Sequence, residues 1–282
     1  MPVAAYAGVS GRDGGGRERV VTQAAVSPER ADYGIDAPVV VRNLFLAGVS
    51  GLSVWSIARF AVWFMHLHPT RFWLEMAGAS LNCGVLCTVM GLWILYESTI
   101  GKKIKRDRLL DQLVWTGRER VLDVGCGRGL LLIGAAKRLS TGTATGIDIW
   151  QAEDLTGNHA DAALENARRE GVAHKVEVQT ADMRQMPFAG EMFDVVVSRA
   201  AIHNIYNAEG RDKAIREVAR VLKPGGIAAI DDIRHLRQYA RIFSRSGCTV
   251  VGRGGSLAVR LLLMVLTFGS LRPGTLLVRK SA

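Results

Sequence analysis

A chain of 282 residues with a formal net charge of +10 is long enough for one large α/β domain and an appendage. The basic excess asks for an anionic partner, but the chain lacks the aromatic-basic motif that reads single-stranded RNA; an acidic lipid surface is favoured and no nucleic acid is expected. Its four cysteines, Cys83, Cys87, Cys126 and Cys248, form neither a CxxC pair nor a zinc-spaced Cys/His cluster, which argues against a disulfide framework and against a metal site.

Residues 1–36 are rich in Gly, Ala, Ser, Arg and acids and read as a disordered tail. A hairpin of two apolar segments comes next, over 37–100. LFLAGVSGLSVWSIARFAVWFMHL, 44–67, is interrupted only by Arg59, and MAGASLNCGVLCTVMGLWILY, 76–96, carries no charge. About 20 apolar residues cross the hydrocarbon core as a helix, so both read as transmembrane helices. The competing reading is a helical pair buried on the rest of the chain. Small residues at Ala47/Gly51 and at Ser80/Gly84/Thr88 recur at i, i+4 and would let the helices approach closely. GKKIKRDR, 101–108, places five basic residues beside the second span, against Arg71 alone in the short loop. The positive-inside rule then puts both termini, and the domain beyond the second span, in the cytoplasm.

From 101 to 282 the pattern changes to short β-branched runs alternating with amphipathic helices. RVLDVG, GTATGIDI, KVEVQTAD, FDVVVSR, GIAAIDDI, CTVVG and TLLVRK read as seven strands. This is the pattern of a doubly wound, Rossmann-like α/β sheet with helices on both faces. The last strand lacks a preceding amphipathic helix and is expected antiparallel, at or near one edge.

Such sheets bind ligands beyond the carboxyl ends of the strands, beside the first one. There the chain has VLDVGCGRGLLLIGAA, 121–136, with Asp123 before a turn containing Gly125, Cys126, Gly127 and Gly129. Glycines let backbone approach a ligand closely. A carboxylate next to that ligand would be unwelcome beside pyrophosphate and helpful beside a sulfonium.

D-x-G-x-G-x-G resembles motif I of the class I S-adenosylmethionine-dependent methyltransferases. The resemblance continues in order. GIDI ends in Asp148, where the family places an acid on the ribose hydroxyls, with Ile149 beside it. TADMRQMPF puts Asp182 and Met183 at the adenine, and FDVVVSRAAIHNI supplies the fourth strand with Ser198 and the loop below the methyl group. VARVLKPGG precedes strand five. The resemblance implies S-adenosylmethionine as cofactor, held by Asp123, Gly125, Cys126, Gly127, Gly129, Asp148, Ile149, Asp182, Met183 and Ser198. His203 and Asn204 would face the acceptor, His203 either as a general base or as a wall of the pocket. Trp150 has two roles open to it, covering the adenine or plugging the sheet edge.

Together these features imply a membrane-anchored methyltransferase acting on a lipophilic or membrane-proximal small molecule, such as a quinone, prenyl lipid, sterol-like compound or phospholipid. The alternatives are a non-catalytic S-adenosylmethionine-binding or scaffold protein, and a nucleic-acid methyltransferase. One apolar stretch, LAVRLLLMVLTF at 257–268, is too short to span a bilayer. It either closes the acceptor pocket or core, or lies in the plane of a membrane with Arg253, Arg260 and Arg272 on anionic headgroups.

Overall fold

The computed structural model describes residues 30–66 and 68–282. It begins with two long helices, α1 (Pro38–Phe64) and α2 (Arg71–Tyr96). They meet along a seam of small residues. A Cβ on Gly51 would lie 2.7 Å from the Ser80 carbonyl oxygen, and one on Gly84 2.8 Å from Leu52 N, so only glycine fits at the crossing. Gly48, against Thr88, belongs to this seam. Both helices are long and apolar enough to cross a membrane, and only 6% and 11% of their apolar windows are buried. In this structure the pair is exposed along most of its length and is not buried on the rest of the chain.

Helix α2 does not stop at Tyr96. A π-helical turn, Glu97–Gly101, carries it into α3 (Lys102–Leu110), making one rod of 40 residues. The domain boundary drawn from composition at 101 therefore falls inside a continuous helix. The basic run over 101–108 is also less exposed than a solvated flank would be. Lys102 is only 2% exposed, and its ammonium donates to the carbonyls of Tyr33 (2.7 Å) and Gly34 (2.6 Å) and to the Asp36 carboxylate (3.2 Å).

Those partners belong to the stretch expected to be a tail. Residues 1–29 of it lie outside the described residues, but 30–36 form a strap packed on the domain, with Tyr33 3% exposed in the core. Its tyrosine ring has apolar area to bury, which composition averaged over 1–36 conceals.

The sheet has seven strands: β1 (Arg120–Val124), β2 (Thr143–Asp148), β3 (Val176–Thr180), β4 (Phe193–Arg199), β5 (Leu222–Asp232), β6 (Cys248–Gly254) and β7 (Gly274–Lys280). Their order is β3-β2-β1-β4-β5-β7-β6. The first five are parallel, and β7 pairs antiparallel with both β5 and β6. The sheet is thus mixed, and the antiparallel strand sits one place inside the edge. Four helices lie between strands on the two faces: α4 (Leu130–Ala136), α5 (Ala160–Arg169), α6 (Ala208–Val221) and α7 (Leu236–Arg245). Strand residues alternate between two cores. Leu122, Val196 and Ile230 pack with α6 and α7, whereas Val121, Val197 and Ala229 pack with α3, α4 and Tyr33. LKPGG at 222–226 is taken into β5 as an irregularity, where pairing shifts from Phe193↔Leu222 to Val195↔Ile227. A final helix, α8 (Leu257–Leu266), bridges β6 and β7.

Candidate cofactor and acceptor site

The chain reverses strand order at β1, which has β2 on one side and β4 on the other. The crevice beyond their carboxyl ends is the place such a sheet offers a ligand. All three glycines of the turn there have positive φ: 73° at Gly125, 51° at Gly127 and 85° at Gly129. A side chain at any of them is strained, and a Cβ on Gly125 would collide with Ala201. Met183 lies on the same side, its Cε 3.5 Å from that Cβ position.

The turn is wired to β2. Gly125 and Cys126 donate their N–H groups to the Ile147 carbonyl at 2.8 and 3.0 Å. Gly127 N–H donates to Asp148 Oδ2 at 2.8 Å, and Trp150 N–H to Asp148 Oδ1 at 2.7 Å. Each carboxylate oxygen of Asp148 keeps lone-pair capacity for a ligand hydroxyl. Ile149 next to it is 47% exposed, unusual for an isoleucine leaving a sheet centre.

Three residues expected at the cofactor have buried side chains. Asp123 is 1% exposed, and its carboxylate accepts the Leu132 N–H at 2.8 Å, bracing the start of α4 from inside. Alternation along β1 puts its side chain on the face that packs with α3 and α4. Burial, helped by the charge of Asp148, pushes this carboxyl up to about 8, against the pull of the Leu132 bond. Ser198 is also 1% exposed, its hydroxyl donating to the Val124 carbonyl at 2.7 Å as a brace between β4 and β1. The Cys126 side chain is buried with its thiol pushed up by desolvation, so only its backbone belongs to the turn. Asp182 stays at the rim, where Arg184 takes both carboxylate oxygens and holds it below the usual carboxylate range. Trp150 donates its indole N–H to Thr180 at 2.8 Å, on edge strand β3.

The acceptor side is built after β4. Ala200, with φ 51°, turns the chain into a short 3-10 helix, Ile202–Asn204. His203 Nδ1 lies 2.6 Å from Asp232 Oδ1, an ion-pair distance that is off the line of a straight hydrogen bond. Asp232, at the end of β5, is 3% exposed and accepts N–H groups from His203 (3.1 Å) and Ile233 (2.8 Å) and the Tyr239 hydroxyl (3.2 Å). Burial pushes the Asp154 carboxyl up, while Asn204 and His203 pull it down. Asp154, Asp232 and Tyr239 escaped the sequence reading because each is more than twenty residues from the motif it serves; an acid doublet ending strand five was the one signal available.

The loop carrying Asp154 closes over the turn. Leu155 Cδ2 comes within 3.0 Å of the Cβ position of Gly127. The strap pairs with that loop: Ala37 N–H donates to the Asp154 carbonyl (3.0 Å) and Thr156 N–H to the Ile35 carbonyl (3.1 Å). Among the described residues, four buried side-chain polar atoms lack a hydrogen-bond partner: Arg128 Nε, Asn158 Oδ1, Arg199 Nε and His203 Nδ1. All four lie at this end of the sheet. Arg199 Nε lies 3.2 Å from the Asp231 carboxylate and His203 Nδ1 2.6 Å from that of Asp232, which leaves Arg128 Nε and Asn158 Oδ1 as the two of these four with no partner.

Residues 122–230 match the family described as a methyltransferase domain. The methyltransferase GfsG of Streptomyces halstedii is 33% identical over 127 residues, 45% of this chain and 42% of that protein. The 27-O-demethylrifamycin SV methyltransferase of Amycolatopsis mediterranei is 31% identical over 147 residues, 50% of this chain and 49% of that protein. The sterol 4-C-methyltransferase of Caenorhabditis elegans is 31% identical over 118 residues, 42% of this chain and 32% of that protein. The chain thus spans half or less of the length of these relatives. Among solved structures, geranyl diphosphate C-methyltransferase from Streptomyces coelicolor is similar with a TM-score of 0.51 at 16% identity, covering 64% of this chain and 79% of that one. The [4+2]-cyclase SpnF is similar with a TM-score of 0.51 at 21% identity, covering 64% and 81%. One fold thus carries differently named chemistries, and the fold alone does not name a reaction. The sequence match over 122–230 supplies what the fold cannot: this stretch is similar to methyltransferase domains, and S-adenosylmethionine is the cofactor supported for it.

Proposed function

We propose that the protein is a methyltransferase anchored in a membrane by the α1–α2 hairpin and acting on a lipophilic or membrane-proximal small molecule. The observation that carries this reading is the convergence of three features at one end of the sheet. The Asp148-bound glycine turn, the His203–Asp232 pair and the strap joining the hairpin to the Asp154 loop all meet there.

S-adenosylmethionine, when bound, supplies a methyl group already activated on a sulfonium. The protein's task is to align the acceptor, receive its proton and exclude water. Gly125, Gly127 and Gly129 admit the cofactor's close approach, Asp148 accepts from its ribose hydroxyls, and Asn158 Oδ1 is a further acceptor beside the turn. Asp232, fixed by Tyr239 and two backbone N–H groups, holds His203 by Nδ1. Nε2 then remains the ring's free nitrogen, the atom that takes a proton from an acceptor hydroxyl or amine. Asn204 and Asp154 form the opposite wall. Leu155 and the strap shut the turn off from water.

A sterol and a rifamycin appear in the names of two relatives, and geranyl diphosphate in that of a structural neighbour. Acceptors with a large hydrocarbon portion suit a domain whose open end adjoins a hairpin long enough to cross a bilayer. Calorimetric titration of the detergent-purified chain with S-adenosylmethionine tests the reading at its base. Saturable binding that Gly127→Val abolishes is expected; absence of binding by a folded protein rejects it.

A further inference from the structure

The arginines of this chain fall into two sets. Several in the domain are engaged in ion pairs: Arg106, Arg128, Arg138, Arg184 and Arg220 each meet a carboxylate. Arg237, Arg241, Arg245 and Arg253 are exposed and make no ion pair or hydrogen bond with the described residues. These four line one groove of about 750 Å³ between α7 and β6, the edge strand of the sheet, with Ser244 on its wall. The first three stand at i, i+4 and i+8, so they rise in a single row, one helical turn apart. Like charges at that spacing repel each other along an isolated helix. No carboxylate relieves them locally, because the sequence has no Asp or Glu from Ile233 to Ala282.

The chain passes from this groove directly into α8. Arg253 is four residues before Leu257, and α8 leaves Leu257, Leu261, Leu262 and Val265 each at least half exposed, with Phe268 beyond it 99% exposed. None of the described side chains of α8 is buried, so the expectation that 257–268 fills the core is not met. Register places this helix at the site end of the sheet. Asp232 pairs with Gly274 and Gly254 with Thr275, so α8 spans the same end as the Asp232–His203 pair.

We propose that the α7–β6 groove and α8 form one docking surface for an anionic lipid bilayer, the four arginines binding headgroup phosphates and α8 entering the acyl boundary beside the acceptor site. Guanidinium forks match phosphate oxygens in pairs, which accounts for arginine rather than lysine in the row. Free phosphate or nucleic acid would use the arginines and leave α8 uncovered; a lipid surface is the ligand that presents anionic and apolar layers side by side. The proposal deepens the membrane reading above and supplies the lipid class that the cytoplasmic side of the site recognises.

The test uses the full chain in neutral-detergent micelles carrying equal mole fractions of either phosphatidylglycerol or phosphatidylcholine. Amide hydrogen exchange is followed over 236–268, and S-adenosylmethionine binding is measured on the same samples. Phosphatidylglycerol should slow exchange in both α7 and α8 relative to phosphatidylcholine. The triple variant Arg237→Gln/Arg241→Gln/Arg245→Gln should weaken the phosphatidylglycerol response about tenfold or more while leaving cofactor binding unchanged. Equal exchange in the two micelles overturns the proposal, as does an unaltered response of the triple variant. Protection of α7 alone, reproduced by inorganic phosphate, identifies an anion site and also overturns it. Loss of cofactor binding in otherwise normal lipid response would strike the enzymatic reading and leave this surface standing.

Discussion

Asp148 Oδ2 accepts the Gly127 N–H at 2.8 Å, so the acid that ends β2 and the glycine turn beyond β1 are one structural unit. Asp148→Ala therefore removes more than a ligand contact, because Gly127 and Trp150 both lose an acceptor. Hydrogen bonds to a charged group contribute about 1.5–3 kcal/mol, and S-adenosylmethionine affinity should fall about 10- to 150-fold. Titration calorimetry on the folded variant measures it; affinity within twofold of the parent would remove Asp148 from the site.

Asp123 gives the fold a pH signature. Its carboxyl is pushed up to about 8 by burial, far above its unfolded value. Between the two values the folded state holds a proton that the unfolded state has released. Stability from this group is therefore full below about pH 4 and is lost as pH rises toward about 8, with a slope of up to about 1.4 kcal/mol per pH unit. Denaturant melts across that range should show this component, and Asp123→Asn should lack it. An identical pH profile for the variant would assign the slope to other groups.

For His203 and Asp232 the expectation separates chemistry from binding. Asp232→Asn keeps a residue of the same size beneath Tyr239 but weakens the hold on His203 Nδ1. Turnover should drop, and His203→Gln should drop it by about 10²–10⁴-fold for an acceptor that must lose a proton. Cofactor affinity should remain near parental in both. A turnover unaffected by His203→Gln makes that residue a wall of the pocket.

Lys102 ties the hairpin rod to the strap through the Tyr33 and Gly34 carbonyls. Lys102→Met should leave those acceptors unmet at a cost of about 1–3 kcal/mol and speed proteolysis near residues 30–36. Because Ile35 and Ala37 hold the Asp154 loop, cofactor affinity should decline with it. Intact strap protection in the variant would show that Tyr33 burial alone suffices.

What the sequence disclosed and what it hid divide along one physical line. Local signals were legible: strand alternation, the apolar segments, and three glycines whose positive φ only a tight turn demands. Long-range placement was not. The motif shows Asp123 and Ser198 but not their partners, the Leu132 N–H and the Val124 carbonyl, which they brace from inside the sheet. Asp232 reaches His203 only because β4 and β5 lie side by side, which spacing along the chain does not reveal. The strap was hidden by its neighbours, since Tyr33 and Asp36 come after thirty mostly polar and small residues. It also changes how a soluble form should be made. Removing everything before residue 101 would strip Tyr33 from the core and orphan Lys102.

Methyl transfer to a lipophilic acceptor at a membrane can be read in a single labelling experiment. The full chain is incubated with native membranes and S-adenosylmethionine labelled in its methyl group, and the label is then partitioned between organic extract, protein and nucleic acid. Label is expected in the organic extract, lost in Gly127→Val and reduced in His203→Gln. Label confined to protein or nucleic acid would contradict a lipophilic acceptor.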